Sequence, residues 1–394
     1  MKWLTDEIMN PPYQIKRDRI HYEPTKILSY ANDKLWLHTI CERDAGKSTS
    51  LWMWEVLPAW RKKNRPAIIL RNRAADITEE YIASIGKTIN SFEGNLVDIG
   101  YNKGGMKEGV VSVFIKDNVT QKQGLFCLII AIGNPMQRNK SLVLHCPSGV
   151  YYDECIVKTS MGETYPTDTF FNIREIYNTY QRFCIDHIDE NGKPVFYKLK
   201  FHAYGNPYSR FFPAVEALNV DPTALKPGAF VVGNNYVFEC YKICDALKAE
   251  ILKRNPEYKD TDSDYYKYAF MGESIDDAKI PLEKNQPAGF RLRYLFRLGT
   301  HVLGAFRDGG INPSDFYSDV DPNRNWWVKI MEPNYVGSRQ AYCVDFNSLV
   351  NNTRLVVKED KVVFEQMKLA FARRLMTFQN TTCYYLMQSL YPQI

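Results

Sequence analysis

With 394 residues, 45% hydrophobic and 24% charged side chains, the chain has a globular composition, which excludes wholesale disorder. Its length suits two compact units plus a connector rather than one core. The net charge of +5 permits contact with a phosphate backbone without demonstrating it. No apolar run reaches the roughly eighteen residues of a transmembrane helix, so no span and no membrane partner are expected.

The N-terminal stretch MKWLTDEIMNPPYQIKRDRI carries early acids and no apolar core, so it is not read as a signal peptide. The first thirty residues predict an arm or short helices. Residues 35–40 (LWLHTI) form a short apolar run that leads into CERDAGKSTS and then the amphipathic SLWMWEVLPAW. Strand, glycine-lysine-serine turn, helix: this is the opening of a βαβ unit. Residues 67–70 (AIIL) predict a second buried strand ending at Arg71, and residues 77–89 have helical spacing. VVSVFIK and LFCLIIAI read as strands separated by the turn-rich KDNVTQKQG.

GVYY then runs into Asp153 and Glu154, residues 170–183 read as a helix, and VFYKLKFHAYGNP reads as a strand stopping at Asn206. This alternation predicts an α/β fold with a mainly parallel sheet. Composition changes near Asp221. Residues 236–253 predict a helix, followed by the polar NPEYKDTDSD, in a connector. FRLRYLFRLGTHVLGAFRDGG and NWWVKIM suggest antiparallel strands, and residues 361–390 one long terminal helix with a break near Asn380. Three parts result: an N-terminal α/β domain (1–222), which carries the glycine-lysine-serine turn, a linker (223–285) and a C-terminal α+β domain (286–394).

The nine cysteines include no paired CxxC and read as reduced thiols. Cys240 and Cys244 stand one helical turn apart and read as a helix face rather than a zinc site.

A triphosphate site needs inward backbone N–H groups, a cation and a metal ligand, and a tight turn into a helix N-terminus supplies the donors. Gly46 would let the backbone approach the β-phosphate, Lys47 would reach the β- and γ-phosphates, and Ser48 would place its hydroxyl on Mg²⁺. The loop as a whole, with Asp44, Ala45 and Thr49, is expected to wrap ATP. Cys41 stands where the standard motif has its first glycine. Arg43 reads either as a contact to the γ-phosphate or a neighbouring subunit, or as a solvent-exposed loop arginine.

The acid pair after GVYY fits the two remaining needs: Asp153 on the Mg²⁺ side, and Glu154 to orient and activate water. The plainer alternative is a strand ending in two solvated acids. Asn206 is placed to sense the γ-phosphate or the water, or else serves only Asn-Pro turn chemistry. Arg182 is either an arginine presented in trans to the next subunit or a surface helix residue.

The order KILSY…CERDAGKS…VLPAWRKKNRPAIILRNR…YYDE…HAYGNPYSRFF resembles the DNA-packaging ATPase (encapsidation protein) of small podoviruses of the phi twenty-nine group, in the terminase-like additional-strand class. Two glycines of the family loop are replaced, by Cys41 and Asp44, and the family's second strand is matched only at Arg71 and Arg73. With that match Arg71 is placed among the nucleotide contacts. YYKYAFMGESIDDAKIPLEK resembles the family's linker, and LGAFRDG and the last helix its C-terminal domain. The resemblance implies a P-loop NTPase domain followed by an RNase H-like domain without a working nuclease site. It further implies a five-subunit ring on the capsid portal in the host cytoplasm, driving double-stranded DNA into a procapsid. Some members also bind a packaging RNA.

Two rivals stand beside this reading. A nuclease-active large terminase would need converging carboxylates, for which Asp308, Asp319, Asp321 and Asp345 are available, mostly in turn-like contexts. A soluble P-loop kinase or nucleotide-binding regulator would ignore DNA altogether. Lys358, Lys361, Lys368, Arg373 and Arg374 read either as phosphate contacts or as a solvated helix face.

Overall fold

The computed structural model describes residues 21–94, 97–103, 108–133, 144–158, 163–166, 168–254, 266, 270–271, 274, 282–298, 301–308, 326–332, 341–343, 353–355, 367, 369–371, 375–380, 383–384 and 386–387. The chain divides into two compact units, Met1–Asp276 and Asp277–Ile394.

A nine-stranded sheet forms the first unit. Its strands are β1 (Trp36–Cys41), β2 (Ala67–Arg71), β3 (Val97–Tyr101), β4 (Val110–Asp117), β5 (Lys122–Ala131), β6 (Gly149–Asp153), β9 (Lys200–Gly205), β10 (Phe230–Val232) and β11 (Tyr236–Tyr241). Their spatial order is β10-β11-β1-β9-β6-β2-β5-β4-β3. The six from β11 to β5 run parallel, and β10, β4 and β3 add antiparallel edges. A separate hairpin, β7 (Ile185–Ile188) and β8 (Pro194–Phe196), stands outside this sheet.

Successive side chains of a strand face opposite sides, so a strand covered on both faces reads as continuous apolar residues. In β2, Ile68 and Leu70 join one core cluster while Ala67 and Ile69 join the other. The first face is covered by α4 (Thr169–Gln181) through Phe170, Ile173, Ile176 and Tyr180. The opposite face is covered by α2 (residues 47–63) through Trp52, Val56 and Trp60, and by α3 (Glu79–Glu93) through Ile82, Ile85 and Ile89. Three layers result. Helix α2 opens with Lys47–Thr49, widens to π-helical turns over Ser50–Val56 and closes as Leu57–Lys63. It stops at Asn64, left-handed at φ 56°, whose N–H returns to the Trp60 carbonyl at 2.8 Å. Helix α3 starts at Thr78, whose side chain accepts from the Tyr81 N–H.

Two short helices, α1 (Thr25–Leu28) and α5 (Pro213–Ala217), precede the last helix of this unit, α6 (Asp245–Arg254). The helix expected over 236–253 is thus only half present. YVFECY forms β11, because Val237 and Phe238 are buried between β1 and β10 and satisfy a strand as readily as a helix. Cys240 therefore lies on a strand and forms no helix face with Cys244. Residues 230–241 add two strands to the first sheet although the sequence places them in a linker. The strand expected over VFYKLKFHAYGNP is broken in two, β8 and β9.

The second unit holds β12 (Phe290–Leu298), β13 (His301–Asp308), β14 (Trp326–Met331), β15 (Ala341–Cys343), β16 (Thr353–Leu355) and β17 (Met376–Phe378), in the order β16-β15-β12-β13-β14-β17. β12, β13 and β14 are an antiparallel meander, to which β15, β16 and β17 add in parallel. β17 interrupts the expected terminal helix. Met376 and Phe378 are buried with Thr377 less so, a period of two that pairs beside β14. Asp308 closes β13; Asp319, Asp321, Asp345, Lys358, Lys361, Lys368, Arg373 and Arg374 lie outside the described residues.

Candidate nucleotide-binding site

A crevice opens at the carboxyl ends of the parallel strands, where open α/β sheets take their ligands. Strand β9 sits between β1, which feeds the glycine-lysine-serine loop, and β6, which carries the acid pair. The ends of all three therefore meet at one place.

The loop is built from residues that tolerate unusual backbone. Asp44 is left-handed at φ 60° and Gly46 at φ 102°. A Cβ on Gly46 would be strained by that angle and would stand 3.2 Å from His21 Cβ. The Ser50 N–H donates to the Gly46 carbonyl at 2.8 Å, joining the loop to the first turn of α2. Tyr22 holds the loop from outside: its N–H donates to the Ala45 carbonyl at 2.8 Å, and its carbonyl accepts from Ser50 Oγ at 2.7 Å. Ala45 is wholly buried among Cys41, Ile243 and Leu247. Burial pushes the Cys41 thiol up to about 12, so this replacement of the usual glycine acts as apolar filler and not as a nucleophile.

Lys47 Nζ donates to Asn206 Oδ1 at 2.6 Å and to the carbonyls of Cys41 and Glu42 at 3.3 and 3.2 Å. An ammonium only donates, which fixes the Asn206 oxygen as the atom that faces it. Asn206 reaches this point because Gly205 precedes it. A Cβ on Gly205 would lie 2.8 Å from Ile156 and 2.9 Å from Cys155 Sγ, so only glycine permits the close crossing of the chain after β6.

Asp153 and Glu154 share one brace. Arg71 donates to Asp153 Oδ2 at 3.1 Å and to Glu154 Oε2 at 2.6 Å, and Tyr81 donates to the same Asp153 oxygen at 2.9 Å. The Arg71 guanidinium also lies 4.4 Å over the Tyr81 ring. Burial would favour the neutral guanidine, but Asp153, Tyr81 and Glu154 together raise the Arg71 pKa above its usual value. Glu154 is left-handed at φ 58°, costing ~1 kcal/mol. Its carbonyl is held by Asn72 Nδ2 at 3.0 Å, and Tyr152 fixes Asn72 in turn.

The cleft so formed has a volume of about 660 Å³. Arg43, Asp44, Gly46, Lys47, Ser48 and Thr49 line it from the loop, facing Asp153, Glu154 and Asn206. Ala45 contributes its backbone to the loop. Arg71 stands behind the acids as their brace and does not line the cleft. Arg182 is exposed at the end of α4, beside the amino-terminal ends of the strands, where the Phe183 carbonyl accepts from Cys146 N–H. The fold therefore separates it from the cleft of its own chain.

Four neighbours escaped sequence reasoning. His21 and Arg254 line the cleft, Tyr81 holds Asp153, and Asn72 holds Glu154. Asn72 lies inside the Arg71–Arg73 stretch and was within reach of motif reading. The other three come from an N-terminal segment, the end of α6 and the start of α3, and carry no local signal.

Beneath the loop runs a buried polar chain. Glu55, from the π-helical turns of α2, meets Lys200 Nζ at 2.5 Å, His202 Nδ1 at 2.9 Å and the Tyr204 hydroxyl. His202 Nε2 lies 2.8 Å from Thr39 Oγ1, Thr39 lies 2.9 Å from the Tyr22 hydroxyl, and that hydroxyl donates to Glu239 at 2.7 Å. Burial alone would raise the Glu55 carboxyl, but Lys200 and His202 lower it to about 2. Four elements and the Tyr22 clip are thereby tied to the glycine-lysine-serine loop. Buried polar groups linked in this way specify one arrangement of the strands they join.

No family profile and no curated protein sequence matches the chain. Among solved structures it is similar to the Phi-28 gp11 DNA packaging motor, with 14% identity and a TM-score of 0.57 over 94% of this chain and 97% of that one. It is also similar to a chain of the bacteriophage Phi-29 viral genome packaging motor assembly, with 16% identity and a TM-score of 0.55 over 95% and 99%. At such identity the likeness is one of fold: the chain shares the α/β architecture of these motor proteins along nearly its whole length.

Proposed function

We propose that the chain is the ATPase subunit of a viral DNA-packaging motor, hydrolysing ATP with Mg²⁺ to move double-stranded DNA into a procapsid. The observation that carries this reading is the meeting of Lys47, Ser48, Asp153, Glu154 and Asn206 around one cleft at the carboxyl ends of β1, β6 and β9. A cleft of about 660 Å³ accommodates a nucleotide.

Ser48 and Asp153 offer the hard oxygen donors that Mg²⁺ takes, and both known contacts of Asp153 fall on Oδ2. Mg²⁺ held by these oxygens would supply positive charge against the phosphates. Lys47 pairs with the β- and γ-phosphates, exchanging its contact with Asn206 for them. Glu154 orients the attacking water and accepts its proton, and Arg71 governs when Glu154 is turned toward that water. Arg43, at the mouth, contacts the γ-phosphate or the adjoining subunit.

The motor assignment draws on the resemblance in the first two hundred residues and on similarity to two solved packaging motors over more than nine-tenths of the chain. In this reading the subunit works in a ring, five-membered as the resemblance implies, seated on the portal vertex in the host cytoplasm, with a packaging RNA as a further candidate partner. The contacts to DNA fall on the phosphate backbone, since a translocating motor cannot depend on base identity. The first unit would be the ATPase and the second a nucleic-acid-binding domain of RNase H-like outline, supported by its meander with parallel strands added. The resemblance implies no working nuclease there; of the carboxylates that a nuclease would need, Asp308 closes β13 opposite Phe290, and Asp319, Asp321 and Asp345 lie outside the described residues.

Purified chain, procapsids and genomic DNA provide the test, with ATP-dependent protection of DNA from nuclease as the readout. Lys47→Ala is expected to abolish turnover and protection while leaving the melting temperature in place. Glu154→Gln is expected to bind ATP and hydrolyse it at least a hundredfold more slowly, about the lower range for losing a proton-transfer group. Turnover by Lys47→Ala would refute the loop; turnover with no DNA protection would leave an ATPase that is not a packaging motor.

A further inference from the structure

A second cleft of about 560 Å³ opens at the amino-terminal edge of the same sheet, away from the phosphate loop. Five cations line it, Lys62, Lys63, Arg65, Lys198 and Lys200, against two carboxylates, Glu55 and Asp186. Both carboxylates are already engaged, Glu55 by Lys200 and His202 and Asp186 by Arg65 at 3.1 Å. The walls are apolar and aromatic. Trp54 and Pro58 come from α2, the wholly buried Tyr151 from β6, and Phe196, 54% exposed, from the β7–β8 hairpin. The cations lie close on these rings: Arg65 is 4.0 Å over Tyr197 and Lys200 is 5.2 Å over Tyr151.

The charges are crowded as well as numerous. Burial, then Arg65 and Lys62, lower the proton affinity of Lys63, with Asp186 opposing. Burial and Lys34 do the same to Lys198, against Asp33. Lys63 is half-buried and Lys62 and Lys198 are exposed, and like charges held together in this way favour a polyanion that relieves them. Aromatic walls beside those cations favour a planar ring carried by the same molecule. The volume fits one such unit and not a strand.

We propose that this second cleft binds a free nucleotide, the base against the Trp54 and Phe196 side and the phosphates on Lys62, Lys63 and Lys198. With both carboxylates engaged, binding here needs no divalent metal, unlike binding at the phosphate loop. Lys200 belongs to this cleft and also to the polar chain that reaches Tyr22 and the loop, so the two sites are physically joined.

The test is calorimetric titration of the full chain with ADP in EDTA. The backgrounds are wild type, Lys47→Ala, and Lys47→Ala carrying Lys63→Glu and Lys198→Glu. One metal-independent ADP per chain is expected to survive Lys47→Ala and to weaken by at least about tenfold on double charge reversal. The corresponding glutamine pair, expected to melt as the parent does, should weaken binding less than the glutamates. Loss of all ADP binding in Lys47→Ala would overturn the proposal, as would binding that ignores the charge reversal. A short single-stranded oligonucleotide that binds in EDTA while ADP does not would overturn it too. Because the readout excludes metal and the loop lysine, its failure leaves the motor assignment untouched, and failure of that assignment leaves this site standing.

Discussion

Glu42, the residue after β1, has a carboxyl group that the proposed hydrolysis does not use. It is wholly buried, Oε2 accepts from the Ile243 N–H at 3.2 Å, and Lys47 donates to its carbonyl. Burial pushes its pKa up to about 7, with Lys47 and Lys242 pulling the other way. The native chain therefore keeps this proton between pH 4.5 and about 7, where the unfolded chain has lost it. Stability contributed by Glu42 is present below that window and falls as pH rises through it, by at most ~1.4 kcal/mol per pH unit. Urea unfolding at pH 5 and pH 7.5 checks this: Glu42→Gln is expected to flatten that part of the profile, and an unchanged slope would count against it. Glu55 behaves oppositely. Its pKa is lowered to about 2, so its contribution is held above pH 4.5 and lost as acid is added toward pH 2. Glu55→Gln should therefore remove part of the acid-limb loss.

Helix α2 joins the loop to the far side of the sheet. Its last turn carries Arg61, which meets Asp117 at the end of β4 through two bonds, 2.7 and 2.9 Å, with both side chains almost fully buried. Asp117 also holds its own turn through Val119 N–H at 3.1 Å and Thr120 Oγ1 at 2.7 Å. Removing one member leaves a buried charge, so Asp117→Ala is expected to cost about 3–5 kcal/mol in urea unfolding. The double change Arg61→Met with Asp117→Leu should recover much of that loss, since an apolar pair leaves no orphan charge. A single-variant loss below about 1 kcal/mol would mean that solvent reaches the pair.

Across the first unit, the two edges of the sheet carry different tasks. The carboxyl ends of the strands hold the loop, the acid pair and Asn206; the amino ends hold Arg182, the β7–β8 hairpin and the second cleft. An arginine at the wrong edge for its own nucleotide contributes to hydrolysis only if a neighbouring copy places its cleft there. If Arg182→Ala, like Glu154→Gln, is slow by itself, mixing the two is then expected to restore turnover at interfaces that pair an intact Arg182 with an intact Glu154. ATP turnover against mixing ratio is the measurement. A flat line at zero counts against a role in trans, and full activity of Arg182→Ala by itself assigns Arg182 to the surface.

Local chemistry was enough to single out the glycine-lysine-serine loop and the acid pair that the fold brings to one cleft. A glycine that must adopt positive φ, a lysine and a serine at a helix start, and two acids at a strand end mark themselves by residue type and spacing. The buried parallel strands showed as apolar runs for the same reason. Tertiary structure decided what depends on partners distant in sequence. Residues 236–241 are apolar at either period, and only the vacancy beside β1 makes them a strand. Met376–Phe378 likewise became a strand because β14 offers an edge. The placing of β9 between β1 and β6, which puts Asn206 on Lys47, follows from a crossover that no local pattern encodes. So do the Arg71–Tyr81 brace and the Glu55–His202–Tyr22 chain. Their members lie far apart in sequence, and each is an ordinary residue until the fold brings its partner within hydrogen-bonding distance.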